Sequence, residues 1–213
     1  MTPRIKICGI TSLTDARYCS ALGGDFLGFI QKADDDRNVN AATAREIIEW
    51  VVGPAAVGVF EDESVDRVLS TCADNGFTCA QLDGHEATEL CSAIQAGGIP
   101  VIKTVCLRHD VSSEQLRDLI LPYRGAAEFI RLDISESTRP GGEGWKPLRE
   151  LASEFKLFLA GTITQSNVEQ FMATVRPYAV DVSASVEESP GIKDFEKISA
   201  LFDIRRGLEA EVA

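Results

Sequence analysis

Cys8 ends the run Lys6-Ile7-Cys8, and Gly9, Ile10 and Thr11 follow it at once, so a thiol stands where a β-strand gives way to a glycine turn and a helix start. A cysteine in that place is positioned for chemistry as well as for packing. Side chains alternate faces along a strand, which puts Lys6 and Cys8 on one side and Ile5 and Ile7 on the other. An ammonium on the same face favours thiolate over thiol, the direction that a nucleophile or a general base requires. The alternative is a small buried cysteine that serves only the core.

Seven further short apolar runs of β type follow Ile5 to Cys8: Phe26 to Ile30, Ala55 to Phe60, Cys79 to Leu82, Pro100 to Thr104, Phe129 to Asp133, Leu157 to Ala160 and Ala179 to Val182. Helical spacing fills the intervals. Val65, Val68, Leu69 and Cys72 fall at i, i+3, i+4 and i+7, and Phe195, Ile198, Leu201 and Phe202 repeat the pattern. Other helices are predicted over Thr14 to Leu22, Ala41 to Trp50, Ala87 to Ala96, Ser113 to Leu121, Pro147 to Phe155 and Ser166 to Val175. Ser112 and Gln115 have the spacing of a capping box, and Pro147 suits a first helical turn. Eight strand-helix pairs of roughly 27 residues each require parallel strands joined by crossovers. The expected architecture is an α/β fold, a single (β/α)8 TIM barrel over residues 1–213, with a frayed acidic tail from about Gly207.

A barrel gathers function at the C-terminal ends of its strands. The ends here are polar: Lys6 and Cys8, Gln81 and Asp83, Lys103, Arg131 and Asp133, Asp181 and Ser183. Period-two alternation turns these residues inward and turns Ile102, Leu132 and Val180 toward the helices. Charges that face a barrel interior need partners or a ligand, so the ring is either a salt-bridge cluster or a binding site. After the last two strands come Gly161-Thr162 and Ser183-Ala184-Ser185, small-residue loops of the kind that holds phosphate through backbone N–H groups, or that serves simply as turns. Gly141 to Gly144 reads as a loop able to cover a site or as a plain connection. Asp34 to Asp36 lacks further oxygen ligands at fixed spacing and reads as a solvated loop, and His85 and His109 read as solvated side chains.

The net charge of −12 repels a phosphate backbone and argues against nucleic acid. With 45% hydrophobic residues the chain can bury a sizeable core, yet no apolar stretch suits a membrane span or secretory signal, so a cytoplasmic protein is expected. Six cysteines without a C-x-x-C pair, and two histidines, predict free thiols and no metal. There is no Walker loop and no G-x-G-x-x-G.

The opening Lys6-Ile7-Cys8-Gly9-Ile10-Thr11 resembles the hallmark of the phosphoribosylanthranilate isomerases of tryptophan biosynthesis. Similar matches continue through Val57-Gly58-Val59-Phe60, Gln81-Leu82 with Gly84 and Glu86, Leu132-Asp133, Leu159-Ala160-Gly161 with Asn167, and Asp181-Val182-Ser183. Val186-Glu187, Pro190-Gly191 and Lys193-Asp194 complete the family's order. The resemblance implies a cofactor-free aldose-ketose isomerase. It would convert N-(5-phosphoribosyl)anthranilate to 1-(2-carboxyphenylamino)-1-deoxyribulose 5-phosphate by an Amadori rearrangement. It implies Asp133 as general acid on the ring oxygen, Cys8 as general base on the C2 proton, and Arg37 on the anthranilate carboxylate. Asp181 would hold a ribose hydroxyl, and Gly161, Thr162, Ser183, Ala184 and Ser185 would hold the phosphate. Lys6, Gln81 and Asp83 complete the expected substrate contacts. The expected partner is a small phosphosugar, and both a monomer and a homodimer fit the fold.

Several positions depart from the family pattern. Its Leu-His-Gly is Leu82-Asp83-Gly84, its Gly-Gly-Thr-Gly contains Glu143, its Gly-Gly is Gly161-Thr162, and its Ser-Ser-Gly is Ser183-Ala184-Ser185. Asp35-Asp36 replaces the Ser-Pro before the arginine. These changes add carboxylates and remove glycines at the phosphate end. The alternative reading is therefore a divergent barrel that binds a sugar phosphate without this turnover, or isomerises a related phosphosugar.

Overall fold

The computed structural model describes residues 2–106, 112–134 and 145–212. Eight parallel strands close in sequence order into a barrel. They are β1 (Arg4–Cys8), β2 (Phe26–Ile30), β3 (Ala55–Phe60), β4 (Cys79–Leu82), β5 (Val101–Cys106), β6 (Phe129–Ile134), β7 (Leu157–Gly161) and β8 (Ala179–Val182). The helices between and after them are α1 (Leu13–Ala21), α2 (Ala41–Glu49), α3 (Val65–Asn75), α4 (Thr88–Ala96), α5 (Ser113–Ile120), α6 (Trp145–Glu154), α7 (Val168–Thr174) and α8 (Phe195–Val212). Local chemistry starts several of them. Ser12, Asn40 and Ser64 accept from the backbone N–H three residues on, and Ser112 with Gln115 forms the expected capping box.

Two apolar layers hold the barrel. Between strands and helices lies the larger cluster, which includes Ile5, Ile7, Leu82, Leu132 and Val180. Inside the barrel Phe26, Val57, Cys79, Ile102, Phe129, Phe158 and Ala179 fill the N-terminal end. Two residues further along the strands the interior turns polar, because a period of two returns the side chain to the same face one layer higher. The apolar floor thus forces the charged residues toward the mouth.

Three expectations are corrected. Lys103 does not face inward: β5 pairs Ile102 with Phe129 and Thr104 with Arg131, which places Ile102 and Thr104 in the interior. Lys103 instead reaches the helix side, where its ammonium donates to Glu86 Oε2 at 2.8 Å, to the Gly84 carbonyl at 2.8 Å and to the Leu82 carbonyl at 3.2 Å. A lysine needs no interior ligand when a carboxylate and two carbonyls satisfy it. The acidic tail is not frayed through residue 212, because Ile204 and Leu208 pack on the core and Arg205 pairs with Glu209 one turn on. Those contacts outweigh the roughly 1 kcal/mol that Gly207 costs inside a helix. Finally, the stretch after β8 is more than a loop: a 3-10 turn at Ala184–Val186 leads into an antiparallel hairpin of β9 (Glu187–Ser189) and β10 (Ile192–Lys193). Gly141 to Gly144, with Glu143, and His109 lie outside the described residues.

All six cysteines are free, and five of them are buried. Among the described residues no helix is long and apolar enough to cross a membrane. Burial pushes the thiols of Cys19, Cys72 and Cys79 up to about 12 and that of Cys91 to about 11. A folded thiol with a raised value keeps its proton while the unfolded thiol, near 9.0, loses it. Stability is therefore complete below about pH 9 and is lost as pH rises toward 11 to 12, by up to about 1.4 kcal/mol per unit for each thiol. Urea unfolding from about pH 8 to about pH 11 should show a steadily falling midpoint, and replacing Cys19 by Ala should reduce the slope. A midpoint that does not move with pH would contradict this account.

Candidate active site

At the mouth of the barrel a chain of charges crosses the interior. Lys6 on β1 donates to both oxygens of Asp181 on β8, at 2.9 and 3.0 Å, and the two side chains are essentially inaccessible to solvent. Register explains the meeting, since the parallel pairing of β1 with β8 puts Lys6 beside Asp181. Arg131 on β6 reaches across from the other side, its Nε donating to Asp181 Oδ2 at 2.6 Å and its Nη1 to Asp133 Oδ2 at 3.1 Å. Burial disfavours the charge on Asp181, yet Lys6 and Arg131 outweigh it and hold the carboxyl below its ordinary range. For Lys6 burial again opposes the charge, and Asp181 outweighs it, so the amine is held above its usual value. The network is self-neutralising, as a buried ion cluster must be.

Cys8 sits one turn of the pleat above Lys6 and is buried. Burial pushes its thiol up, and Lys6, through charge and a hydrogen bond, pulls it down less than burial and Asp181 push it up. Lys6 thus acts in the expected direction, toward thiolate, and burial opposes it more strongly. Room for the sulfur comes from Gly28, the register partner of Cys8 on β2. A Cβ there would lie 2.6 Å from Cys8 Sγ and 3.2 Å from Lys6 Nζ. A glycine inside a strand is itself a sequence sign of close approach.

Asp133, at the end of β6, keeps its carboxylate at the rim with 39% of the side chain exposed. Gly161 abuts it in a left-handed conformation (φ +97°), and a Cβ there would stand 2.1 Å from the Ile134 carbonyl oxygen and 2.7 Å from Asp133 Oδ1. The next residue, Thr162, donates its amide to that same carbonyl at 3.3 Å and accepts at its own carbonyl from Asn167 Nδ2 at 2.7 Å. Across the neighbouring strand end, Ser183 begins the 3-10 turn through Ala184 and Ser185, closed by the Val186 amide on the Ser183 carbonyl at 3.1 Å.

Gln81 and Asp83 meet as well. The Gln81 amide donates to Asp83 Oδ1 at 2.8 Å, and Thr104 Oγ1 donates to the same oxygen at 2.5 Å. Arg37, from the loop after β2, donates through Nε to both oxygens of Glu187 at 3.1 and 3.0 Å. Asp35 supports it from the loop side, accepting the Arg37 amide at 2.8 Å. Glu187 in turn accepts from Lys193, whose ammonium also donates to the Cys8 carbonyl, both at 2.6 Å. Glu187 and Lys193 belong to the matched family pattern but carry no expected role, because nothing in the chain shows that Lys193 returns to Cys8 from 185 residues away. His85, as expected, is exposed.

A closed barrel of eight parallel strands with eight helices, its polar side chains gathered at the C-terminal ends of the strands, places this chain among the (β/α)8 TIM-barrel proteins. Residues 5–204 match the family described as N-(5'phosphoribosyl)anthranilate (PRA) isomerase. The N-(5'-phosphoribosyl)anthranilate isomerase of Thermotoga maritima is 36% identical over 211 residues, 96% of this chain and 99% of that protein. The crystal structure of the phosphoribosyl anthranilate isomerase from Thermus thermophilus is 36% identical with a TM-score of 0.82, covering 96% of this chain and 99% of that one. A phosphoribosyl anthranilate isomerase solved in complex with reduced 1-(o-carboxyphenylamino)-1-deoxyribulose 5-phosphate is 34% identical at a TM-score of 0.83, with the same coverage. The chain belongs to the phosphoribosylanthranilate isomerase family, and its activity is that isomerisation, a step of tryptophan biosynthesis.

The Gly28 contact yields a test. Gly28→Ala should cost about 1 to 3 kcal/mol of stability through overpacking against Cys8, read from urea unfolding. Adding Cys8→Ala should recover most of that loss, since the clash is with the sulfur. Equal destabilisation in the single and the double variant would refute the contact.

Proposed function

We propose that Cys8 and Asp133 carry the two proton transfers of the Amadori rearrangement. The reading is supported by the charge chain from Cys8 through Lys6, Asp181 and Arg131 to Asp133, which fixes a thiol and a rim carboxylate on well-separated strands of one mouth. In its protonated form Asp133 gives a proton to the ribose ring oxygen. The bond from that oxygen to C1 breaks as the anilino nitrogen lone pair forms a C=N bond. Cys8, as thiolate, then takes the C2 proton, and the electrons of that C–H bond become the C1=C2 bond of an enolamine, which tautomerises to the ketone. Lys6 stabilises the thiolate that this step requires.

The same reading assigns the substrate contacts. The Nη edge of Arg37 suits the anthranilate carboxylate in a charge-assisted contact, while Nε is engaged by Glu187. Asp181, at the centre of the charge chain, is the proposed partner of a ribose hydroxyl, and Gln81 and Asp83, joined to each other, are the proposed contacts from β4 and the turn after it. The phosphate falls to Gly161, Thr162, Ser183, Ala184 and Ser185, at the ends of adjacent strands in the place where barrels of this kind bind anions. The ligand is accordingly a small phosphosugar.

With substrate generated in place, Cys8→Ala and Asp133→Asn should each lower kcat/KM by about 10² to 10⁴ while leaving the cooperative unfolding transition intact. Turnover at the wild-type rate in either variant would remove that residue from the mechanism.

A further inference from the structure

We infer that Glu187 and Lys193, on the hairpin after β8, form one positioning device that sets both the general base and the substrate-carboxylate arginine. The inference rests on the roles proposed for Cys8 and Arg37. Its basis is a continuous run of contacts at the end of β1. Lys193 Nζ, with its side chain fully buried, donates to the Cys8 carbonyl and to Glu187 Oε1, both at 2.6 Å. Glu187, 3% exposed, uses both oxygens to accept from Arg37 Nε. A single buried carboxylate therefore joins the backbone of the base to the side chain of the arginine.

The geometry dictates what is left over. With Nε clamped, the guanidinium cannot turn that edge to a ligand, so its Nη groups, with Asp35 Oδ1 3.6 Å from Nη1 and beyond hydrogen-bond range, form the edge that a planar carboxylate can meet in bidentate fashion. Gly9 makes the approach possible: it takes φ +74°, and a Cβ would stand 2.8 Å from Arg37 Cδ and 3.3 Å from Glu187 Oε1. Arg37 thus lies against the peptide that follows the base. Lys193 meanwhile holds the carbonyl with which β1 ends, so a change in the hairpin is felt at both residues. The hairpin has further anchors, with Thr11 Oγ1 donating to the Gly191 carbonyl at 2.6 Å and Lys197 Nζ to the Glu187 carbonyl at 2.8 Å. These secure the backbone independently of the two charged side chains, which is why their substitution is a usable probe.

The experiment compares the natural substrate with an analogue made from aniline, whose ring lacks the carboxylate. Glu187→Gln should raise KM for the natural substrate about ten- to hundredfold, the worth of a charge-assisted contact, and should change KM for the analogue by less than about twofold. Arg37→Met should raise the natural KM in the same way, and the double variant should be no worse than Arg37→Met alone. Lys193→Met should lower kcat at least about tenfold through displacement of Cys8, with partial recovery in Lys193→Arg. A purely structural role would lower the unfolding midpoint while leaving the substrate difference and kcat unmoved. Additive effects of Arg37→Met and Glu187→Gln, or equal KM changes for both substrates, would overturn the inference, as would an unchanged kcat in Lys193→Met. If Arg37→Met itself leaves KM unaltered, the role of Arg37 has failed; if it raises KM and Glu187→Gln does not, that role stands and the positioning device has failed. Should Glu187→Gln not fold, Glu187→Asp, which keeps the charge and withdraws it by one methylene, takes its place with the same expected split.

Discussion

The pairing of Lys6 with Asp181 is the contact on which the site depends. It lies on the seam where the last strand meets the first, so the barrel can close only if these two charges leave water together. Desolvating either alone would cost several kcal/mol, and each repays the other only at the short range that the register imposes. Arg131 makes the pair a trio and carries the same electrostatic field to Asp133 at the rim. Closure of the fold and the ordering of the charged side chains at the mouth are thus one event. The apolar floor of Phe26, Phe129 and Phe158 beneath keeps bulk water away from it on that side, which strengthens every interaction above.

Space at the mouth is made by glycines as much as by charges. Gly28 clears the volume of the Cys8 sulfur, Gly9 lets Arg37 lie against the strand end, and Gly161 admits the loop after β7 beside Asp133. Each marks a place where two functional groups approach more closely than a Cβ would allow. Gly161 in particular retains its conformation although its neighbour in the family pattern is replaced by Thr162. The Thr162 amide is bonded to the Ile134 carbonyl, so the replacement sits within a loop that is already fastened. Asp83 shows a similar accommodation. Its carboxylate accepts from Gln81 and Thr104, partners that absorb the acceptor which replaces the family's histidine.

Most of the fold could be read from the chain. Apolar runs of four to six residues alternating with helical periods leave little choice but parallel strands with crossovers, and all eight strands fall within two residues of their expected limits. What escapes the pattern is local. The parity of β5 is not legible along the chain, because Ile102-Lys103-Thr104 offers one apolar, one charged and one neutral residue, and only the register with Phe129 and Arg131 decides which faces in. The hairpin of β9 and β10 is too short to show a period, and α8 runs past Gly207 because of tertiary contacts of Leu208.

What the sequence determined by itself was the inventory and its place: a thiol at the end of the first strand, an aspartate at the end of the sixth, small residues after the seventh and eighth. These follow from periodicity and strand order, which are local properties. Only the tertiary structure decided the state and the company of those groups. Whether Cys8 rests as thiol or thiolate depends on the sum of burial, Lys6 and Asp181. Whether Arg37 presents its Nε or its Nη edge depends on a glutamate 150 residues away. Desolvation and long-range charge pairing are set by where the chain returns in space, and no pattern along the chain encodes that return at the level of single side chains.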